Sequence, residues 1–498
     1  MLFIMANALL DPTVPYPPRY RWLKRVTVAG VIIAAAVVAT RLWWGHVAQQ
    51  RFDAFAAEKR ARGEPVFPAD LQPPPTTDGR NAAFYFLRAA GAVSKTAESP
   101  ANGVITTPDY LPYHPKWHEM AAKSVAANAA IYLDVRVARG LPDVDWGVAY
   151  TSPLMNVLLP HLNNSRKLAN VLGDTALYHH FNGHDAEALE LIADGRALGR
   201  AADEPGFMLT HLVAAGVDAL FLNRLETMAG GLQVAGLGPP ATQPSARPAA
   251  RQQVDALIAE LLNDAPYQRN RRRALQGEAV GRIDTVRWVS RDSVVLRPMY
   301  LLDAIRAGQD NDRYLPAFEN PSLATRVAQP PPLDFASDFT TSASRMFSQM
   351  TNMTYNRVVQ VNAQVLAERR FAAIALAMRL CFLEQGRYPV TLDLLVPRYL
   401  PAVPVDPFDP KGGPMRYVLL NQNGQPRPVA YSVGENGVDD TGATPSTATV
   451  PGTTQWGWHA KVLDQHRDLS QWMPPAPPAG YANPLNVDPD SPEAGGNE

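Results

Sequence analysis

Hydrophobic positions along the chain form three patterns: an unbroken apolar run near the start, helical periodicity through the middle, and short patches near the end. Val26 to Thr40 is free of charge and strongly apolar. That run alone falls short of the ~20 residues needed to cross ~30 Å of hydrocarbon. Arg41 can snorkel, however, and Leu42, Trp43 and Trp44 extend it into an interfacial aromatic belt. The pattern predicts one transmembrane helix over 26–45, with the lipid bilayer as its partner. Arg19, Arg21, Lys24 and Arg25 precede it with no acidic residue among them. The positive-inside rule then keeps the tail 1–25 in the cytoplasm and exports the bulk of the chain, the topology of a single-pass inner-membrane protein with a periplasmic body. A cleaved signal peptide shares the basic flank, but two tryptophans sit where cleavage would fall and no small-x-small site follows. Phe207 to Leu225 is also apolar, yet His211, Asp218 and Arg224 interrupt it. It reads as a buried amphipathic helix.

Helical periodicity dominates the exported part, 46–335. Arg51 to Arg62 continues the anchor or forms a short stalk. A proline linker precedes a helix at Asn81 to Val93, with Asp78 as its expected cap. A further helix is expected over Trp117 to Arg139. Leu168, Val171, Leu172, Ala176 and Leu177 then share one face at steps of three and four, Asn182-Gly183 supplies a turn, and Ala188, Leu189, Ile192 and Leu198 continue on a second helix. This hairpin, about 168–200, resembles a single tetratricopeptide unit at Ala176, Gly183 and Ala188. His179 stands where the family has an aromatic residue, and no second copy follows, so the likeness supports α-hairpin packing and no solenoid. Gly236 to Ala250 reads as a linker, helices resume at Arg251 to Asn263 and Ala274 to Arg306, and prolines at 330–332 break the chain again.

From Phe347 to Phe382 apolar residues again step by three or four, predicting a helix of about ten turns that ends at Gly386. Pro389 then forces extended chain, Asp406-Pro407 and Asp409-Pro410 favour turns, and Met415 to Leu420 and Pro428 to Val433 read as short strands around a turn. Residues 336–460 thus form a helix packed on a small antiparallel sheet, and 474–498 lack core-forming content and read as a disordered tail. Residues Arg370 to Gly442 are similar to the C-terminal half of the major pseudopilins of type II secretion. The likeness rests on Gly386, Tyr388, Pro389, Leu392, Leu395, Pro404, Asp406, Pro407, Phe408, Pro414 and Tyr417, and on a later loop at Tyr431, Ser432, Gly434, Gly437 and Gly442. The family's prepilin cleavage site is missing, and the long helix contains Arg357, Arg369 and Arg370, so the chain carries the module without the filament mechanism.

Net charge is −1, which gives no overall pull toward nucleic acid. The one cysteine, Cys381, permits no intramolecular disulfide and lies in the apolar stripe of the long helix, as a buried small hydrophobe would. Glu435, Asn436, Asp439 and Asp440 cluster hard oxygen ligands on a glycine-rich loop, a composition that suits calcium, and the pseudopilin resemblance implies calcium in the same loop. No other cofactor is expected. His179, His180 and His184 form the densest histidine cluster, read as a polar hairpin end rather than a metal site, and His114 and His118 likewise. The basic stretch from Arg269 to Arg273 reads as a solvated helix face. No phosphate loop, nucleophile elbow or dinucleotide fingerprint occurs.

The expectation is a mainly α protein: an N-terminal transmembrane helix, an α-helical exported domain with proline-rich linkers, and a small C-terminal α+β pseudopilin-like module. Its expected role is interaction or scaffolding in a bacterial envelope, with an unknown envelope protein as partner. The alternative is an envelope hydrolase whose site is built from scattered residues of the helical domain.

Overall fold

The N-terminal helix is longer than the apolar run that predicts it. In the computed structural model, which describes residues 19–94, 115–238, 247–293, 295–319, 355–422, 425–434, 439 and 457–459, α1 runs unbroken over Arg19–Ala61. At 1.5 Å per residue it is about 65 Å long. Its two halves differ. Val31, Ile32, Ile33, Val37, Val38, Leu42 and Trp43 are exposed, Leu42 at 68% and Trp43 at 66%. Ala48, Phe52, Phe55 and Ala56 are instead buried against the protein body. The stretch after the apolar run is therefore a docked helix end, and the stalk reading is replaced.

The remaining helices follow as α2 (Ala82–Ala92), α3 (Pro115–Ala127), α4 (Ile131–Arg139), α5 (His161–Phe181), α6 (Asp185–Ala202), α7 (Met208–Ala229), α8 (Arg251–Leu262), α9 (Ala265–Ser290), α10 (Arg297–Glu319) and α11 (Tyr355–Gln385). Three boundaries differ from those expected. The cap of α2 is Asn81, whose side chain accepts from the Ala83 N–H at 3.0 Å, in place of Asp78. The helix expected over 117–139 is split at Asn128, whose side-chain amide donates to the Ser124 carbonyl at 2.8 Å and whose Oδ1 accepts from the Ser94 N–H at 2.8 Å. Such side-chain bonds offer the backbone an alternative to continued helix. The helix expected over 274–306 is two, α9 and α10, which pack against each other as a hairpin.

The hairpin α5–α6 turns at Gly183, and α7 packs back on both of its helices. Despite its composition, α7 is half buried, as its interrupting charges predict. The large core joins α2 and α4 to α8 and runs onto the inner face of α11, where Phe371 to Met378 are buried. A second cluster joins Phe52 and Phe55 of α1 to Ile283, Val286, Tyr300 and Leu301 of the α9–α10 hairpin. Full burial of one such side chain contributes about 1.5–3 kcal/mol. Lys59 adds ion pairs to Glu64, at 2.8 Å, and to Asp312.

Gly386 ends α11 with φ of 69°, a left-handed conformation that glycine alone adopts without strain. Beyond it the Tyr388 ring stacks on Phe382 at 4.7 Å, and the Tyr417 hydroxyl donates to the Pro389 carbonyl at 2.8 Å. A 3₁₀ turn, Leu392–Leu395, leads to strands β1 (Arg416–Gln422) and β2 (Gln425–Tyr431), which pair antiparallel with Tyr417 opposite Ala430. The short β3 (Gly457–His459) pairs on the far side of β2. The molecule is mainly helical with a small antiparallel sheet. The first part of the expected long helix, before Tyr355, and the tail 474–498 lie outside the described residues.

Candidate functional site

Polar side chains recur at helical spacing inside otherwise apolar faces, and five helices bring them together. On α6, Arg196, Gly199 and Arg200 lie on one face, with Asp203 at the helix end; His211, Ala214 and Asp218 share a face of α7. Glu260 and Asn263 come from the end of α8, Tyr267 and Asn270 from the start of α9, and Arg369 from α11. Close approach of α6 and α7 makes the cluster possible. A Cβ at Gly195 would stand 1.8 Å from the Phe221 ring, so any side chain there would displace that ring.

All of these groups except His211 line a cavity of about 90 Å³. Arg196, almost fully buried, pairs with Asp218 and lies 3.4 Å from Glu260, which also pairs with Arg200. Arg369 lies 3.6 Å from Asp218. Its other nitrogens donate to the carbonyls of Leu261 at 3.2 Å, Glu260 at 3.0 Å and Asn263 at 3.0 Å. Those carbonyls lie at the negative end of α8, and a guanidinium is a fitting cap for them. Burial opposes the charge of Glu260, but Arg196 and Arg200 hold its carboxyl below the usual range. Burial lowers the pKa of Arg369, and Arg196 beside it acts in the same direction.

One wall carries a second network. His211 bonds through Nδ1 to Asp203 at 2.9 Å and through Nε2 to Asn362 Oδ1 at 2.8 Å. The Tyr267 hydroxyl donates to the same Asn362 oxygen at 3.2 Å. Burial disfavours the imidazolium, but Asp203 and these bonds raise the His211 pKa above its ordinary value. Arg271 and Arg369 both lie against the Tyr267 ring, at 5.0 and 5.8 Å from its centre. Asp203 Oδ1, Asn362 Nδ2 and Arg271 Nε and Nη1 are buried without hydrogen-bond partners. Such orphans cost free energy unless water or a ligand meets them. Arg271 is 0% exposed, and burial lowers its pKa to about 10. The solvated face expected for the basic stretch is therefore corrected at Arg271. Arg272 and Arg273 instead pair with Glu319 and Glu204.

Comparison with protein-family models, with curated proteins and with solved structures returns no match. The site must be read from its own geometry. Its charged groups are largely spent on one another: cations from α6 and α11 face carboxylates from α7 and α8. About two turns beyond Asp218 on α7, half-buried Glu226 has its pKa pushed up to about 8, first by burial and then by Glu368. Glu368, on α11, is pushed up to about 7 by burial, with Asp218 adding to the shift.

The residues singled out in the sequence fall elsewhere. Asp439 is engaged through both oxygens: Oδ2 accepts from Arg416 Nε at 2.9 Å and Oδ1 from the Tyr431 hydroxyl at 3.1 Å. Glu435, Asn436 and Asp440 lie outside the described residues. Arg416 also pairs with Asp406 at 3.3 Å and Asp409 at 2.9 Å, so a guanidinium already sits among these carboxylates. His180 bonds to Asp185, whose other oxygen accepts from the Gln233 N–H at 2.7 Å, a structural tie across the hairpin end. The His179 and His184 rings stand 5.9 Å apart. His118 packs between Trp117 and Phe181, and burial lowers its pKa. His114 lies outside the described residues. Cys381 is buried and free, with burial raising its thiol pKa. Among the described residues no group of three His, Cys, Asp or Glu side chains is placed to hold a metal.

In the sequence, each cavity residue looks like an ordinary position in or beside a helix. The signal lies in the spacing. His211 and Asp218, and likewise Asn362 and Arg369, are seven residues apart inside apolar stretches, which puts each pair on one inward face.

Proposed function

We propose that this chain is a single-pass membrane-anchored protein of a bacterial envelope, with its N-terminus cytoplasmic and its body periplasmic, and that its role is interaction or scaffolding linked to secretion. The observation that carries the reading is the contrast within α1. Apolar side chains are exposed all round its first half and buried in the protein along its second. A helix with an apolar run exposed on every side, and left uncovered there by the other described elements, suits lipid. The pseudopilin-like reading of 370–442 draws support from the order of long helix, Gly386 exit, 3₁₀ turn, Asp-Pro turns and antiparallel hairpin. The mutual pairing of Arg196, Asp218, Glu260 and Arg369 favours a structural role for the cavity.

Reporter fusions test the topology. A reporter active only in the periplasm is expected to work at the C-terminus and fail at the N-terminus, and the reverse pattern overturns the orientation. A photocrosslinker at exposed Leu394 tests the interaction role. A discrete adduct in native membranes is expected, and a uniform absence of adducts at this and neighbouring exposed positions counts against scaffolding through the module.

The hydrolase reading is favoured by one observation, the His211–Asp203 pair beside the cavity. It predicts hydrolysis that His211→Gln abolishes while the fold survives. Retained turnover in that variant removes it.

A further inference from the structure

We propose that the turn between α9 and α10 is a second membrane contact, seated in the same bilayer interface at which α1 leaves the lipid. The inference rests on the anchor reading of α1 and adds a surface of the body to it.

The turn is apolar where it should be wet. Trp288 is 40% exposed, Val295 69% and Leu296 41%. Isolated exposed hydrophobes need no explanation, but the turn that carries Val295 and Leu296 meets the anchor itself. Arg41 donates from Nε to the Val295 carbonyl at 2.8 Å. One turn further along α1, Pro298 of α10 lies 3.9 Å from where a Cβ on Gly45 would stand. The turn is thus fixed to a known height on the helix. Trp22 to Trp44 spans about 34 Å at 1.5 Å per residue, close to the ~30 Å hydrocarbon thickness. Arg41 is three residues before Trp44, so the carbonyl it holds lies within about 5 Å of the aromatic level along the axis. If the first half of α1 is in lipid, Val295 and Leu296 stand at its boundary.

The chemistry of the patch matches that depth. Tryptophan is enriched where acyl chains meet headgroups, and half-exposed Trp288 lies in the last turn of α9, just before the turn. The Val295 carbonyl, which unpaired would oppose entry into an apolar layer, has Arg41 as its donor. Exposed Arg291 and Arg297 flank the turn, with Asp292 the acidic residue between them. Long arginine stems can lie along acyl chains while their guanidiniums reach phosphate. The excess of positive charge favours a surface of acidic phospholipid. Two attachments, one spanning and one interfacial, would hold the α9–α10 hairpin against the membrane and restrict the body to one orientation.

The full chain in proteoliposomes tests this. Val295→Cys, Val31→Cys and Leu133→Cys are labelled separately with an environment-sensitive fluorophore, the buried Cys381 being shielded from labelling. Lipids spin-labelled near the headgroup and at mid-chain serve as quenchers. The expected result is quenching of the Val31 and Val295 probes, Val295 most strongly by the shallow label, with the Leu133 probe on α4 unquenched. Quenching at Val31 without quenching at Val295 overturns this proposal and leaves the anchor standing. Absence of quenching at both positions overturns the anchor reading as well. A blue-shifted Val295 probe that lipid labels do not quench shows protein cover, either a second copy or another chain, and also overturns it. Arg291→Glu with Arg297→Glu is expected to reduce quenching at Val295 in vesicles containing acidic phospholipid while leaving Val31 unchanged. An undiminished signal there overturns the acidic-lipid part of the proposal.

Discussion

Asp406 accepts the backbone N–H of Val433 at 2.9 Å, tying the first Asp-Pro turn to the chain just beyond β2. Its other oxygen takes the Phe408 N–H at 2.9 Å and the Ser432 hydroxyl at 2.7 Å, while Arg416 reaches the Val433-bonded oxygen at 3.3 Å. A buried carboxylate with this many donors organises the turn rather than decorating it. Removing it leaves buried donors without their acceptor and takes one of three carboxylates from Arg416, a change that costs about 3–5 kcal/mol in comparable sites. Asp406→Ala is expected to lose that much stability, and Asp406→Asn somewhat less because it keeps one acceptor oxygen. Hydrogen exchange across 416–433 reads the effect locally. Unchanged protection in β1 and β2 would remove Asp406 from this role.

Arg369 is expected to matter through geometry as well as charge. Its fork meets three carbonyls at the end of α8 while facing Asp218. Lysine keeps the charge but cannot present a planar set of donors. Arg369→Lys should therefore recover less than half of the loss caused by Arg369→Ala, itself about 3 kcal/mol for a broken buried pair. Chemical denaturation of the full chain in detergent measures both. Equal stability of wild type and the lysine variant would show that charge alone suffices.

Much of this architecture is legible in the sequence because it depends on local rules. The exit at Gly386, the turn at Gly183 and the pairing of β1 with β2 follow from backbone conformation and strand patterning. The breaks at Asn128 and between α9 and α10 were less visible, since helix periodicity continues across both. What stops the chain there is side-chain bonding by Asn128 and docking of the hairpin on Phe52 and Phe55. The cavity was the hardest to see. Arg196, Asp218, Glu260, Tyr267 and Arg369 lie on five helices, and their meeting depends on tertiary packing that periodicity does not encode. Arg271 shows the same limit: a run of basic residues predicts solvent, yet its helical phase turns one of them inward.

Glu226 and Glu368 give the protein a pH dependence of defined sign. Their carboxyl pKa values are raised to about 8 and about 7, first by burial, against about 4.3 in an unfolded chain. Between those values the folded state holds more protons than the unfolded state, so stability falls as pH rises. The cost is absent below the unfolded pKa and complete above the folded one. Glu226→Gln is therefore expected to leave melting near pH 4 unchanged and to raise it by a few degrees near pH 9, with Glu368→Gln acting in the same direction. Melting curves of the three proteins across this range decide the matter. A glutamine variant that is less stable than wild type at alkaline pH would show that ionised Glu226 has a favourable partner.

The acid loop of the C-terminal module raises a competition between two cations. Arg416 bonds to Asp406, Asp409 and Asp439, so it already neutralises the carboxylates around the loop. A calcium ion seeking Asp439 would have to displace a guanidinium held by bonds to three carboxylates, and it would gain only what exceeds that loss. Replacing the guanidinium changes the balance. In Arg416→Gln the three carboxylates face one another without their cation, and like charges at close range favour any divalent ion that can bridge them. Calcium is therefore expected to raise the melting midpoint of Arg416→Gln more than that of the wild type, and a chelator to reverse the gain. Magnesium, which sheds its waters reluctantly and demands tighter geometry, should do less. The measurement is thermal unfolding of both proteins with each ion and with chelator. Equal midpoints for the variant in all conditions would remove calcium from the loop, and a wild type that responds more strongly than the variant would mean that Arg416 assists the ion instead of standing in for it.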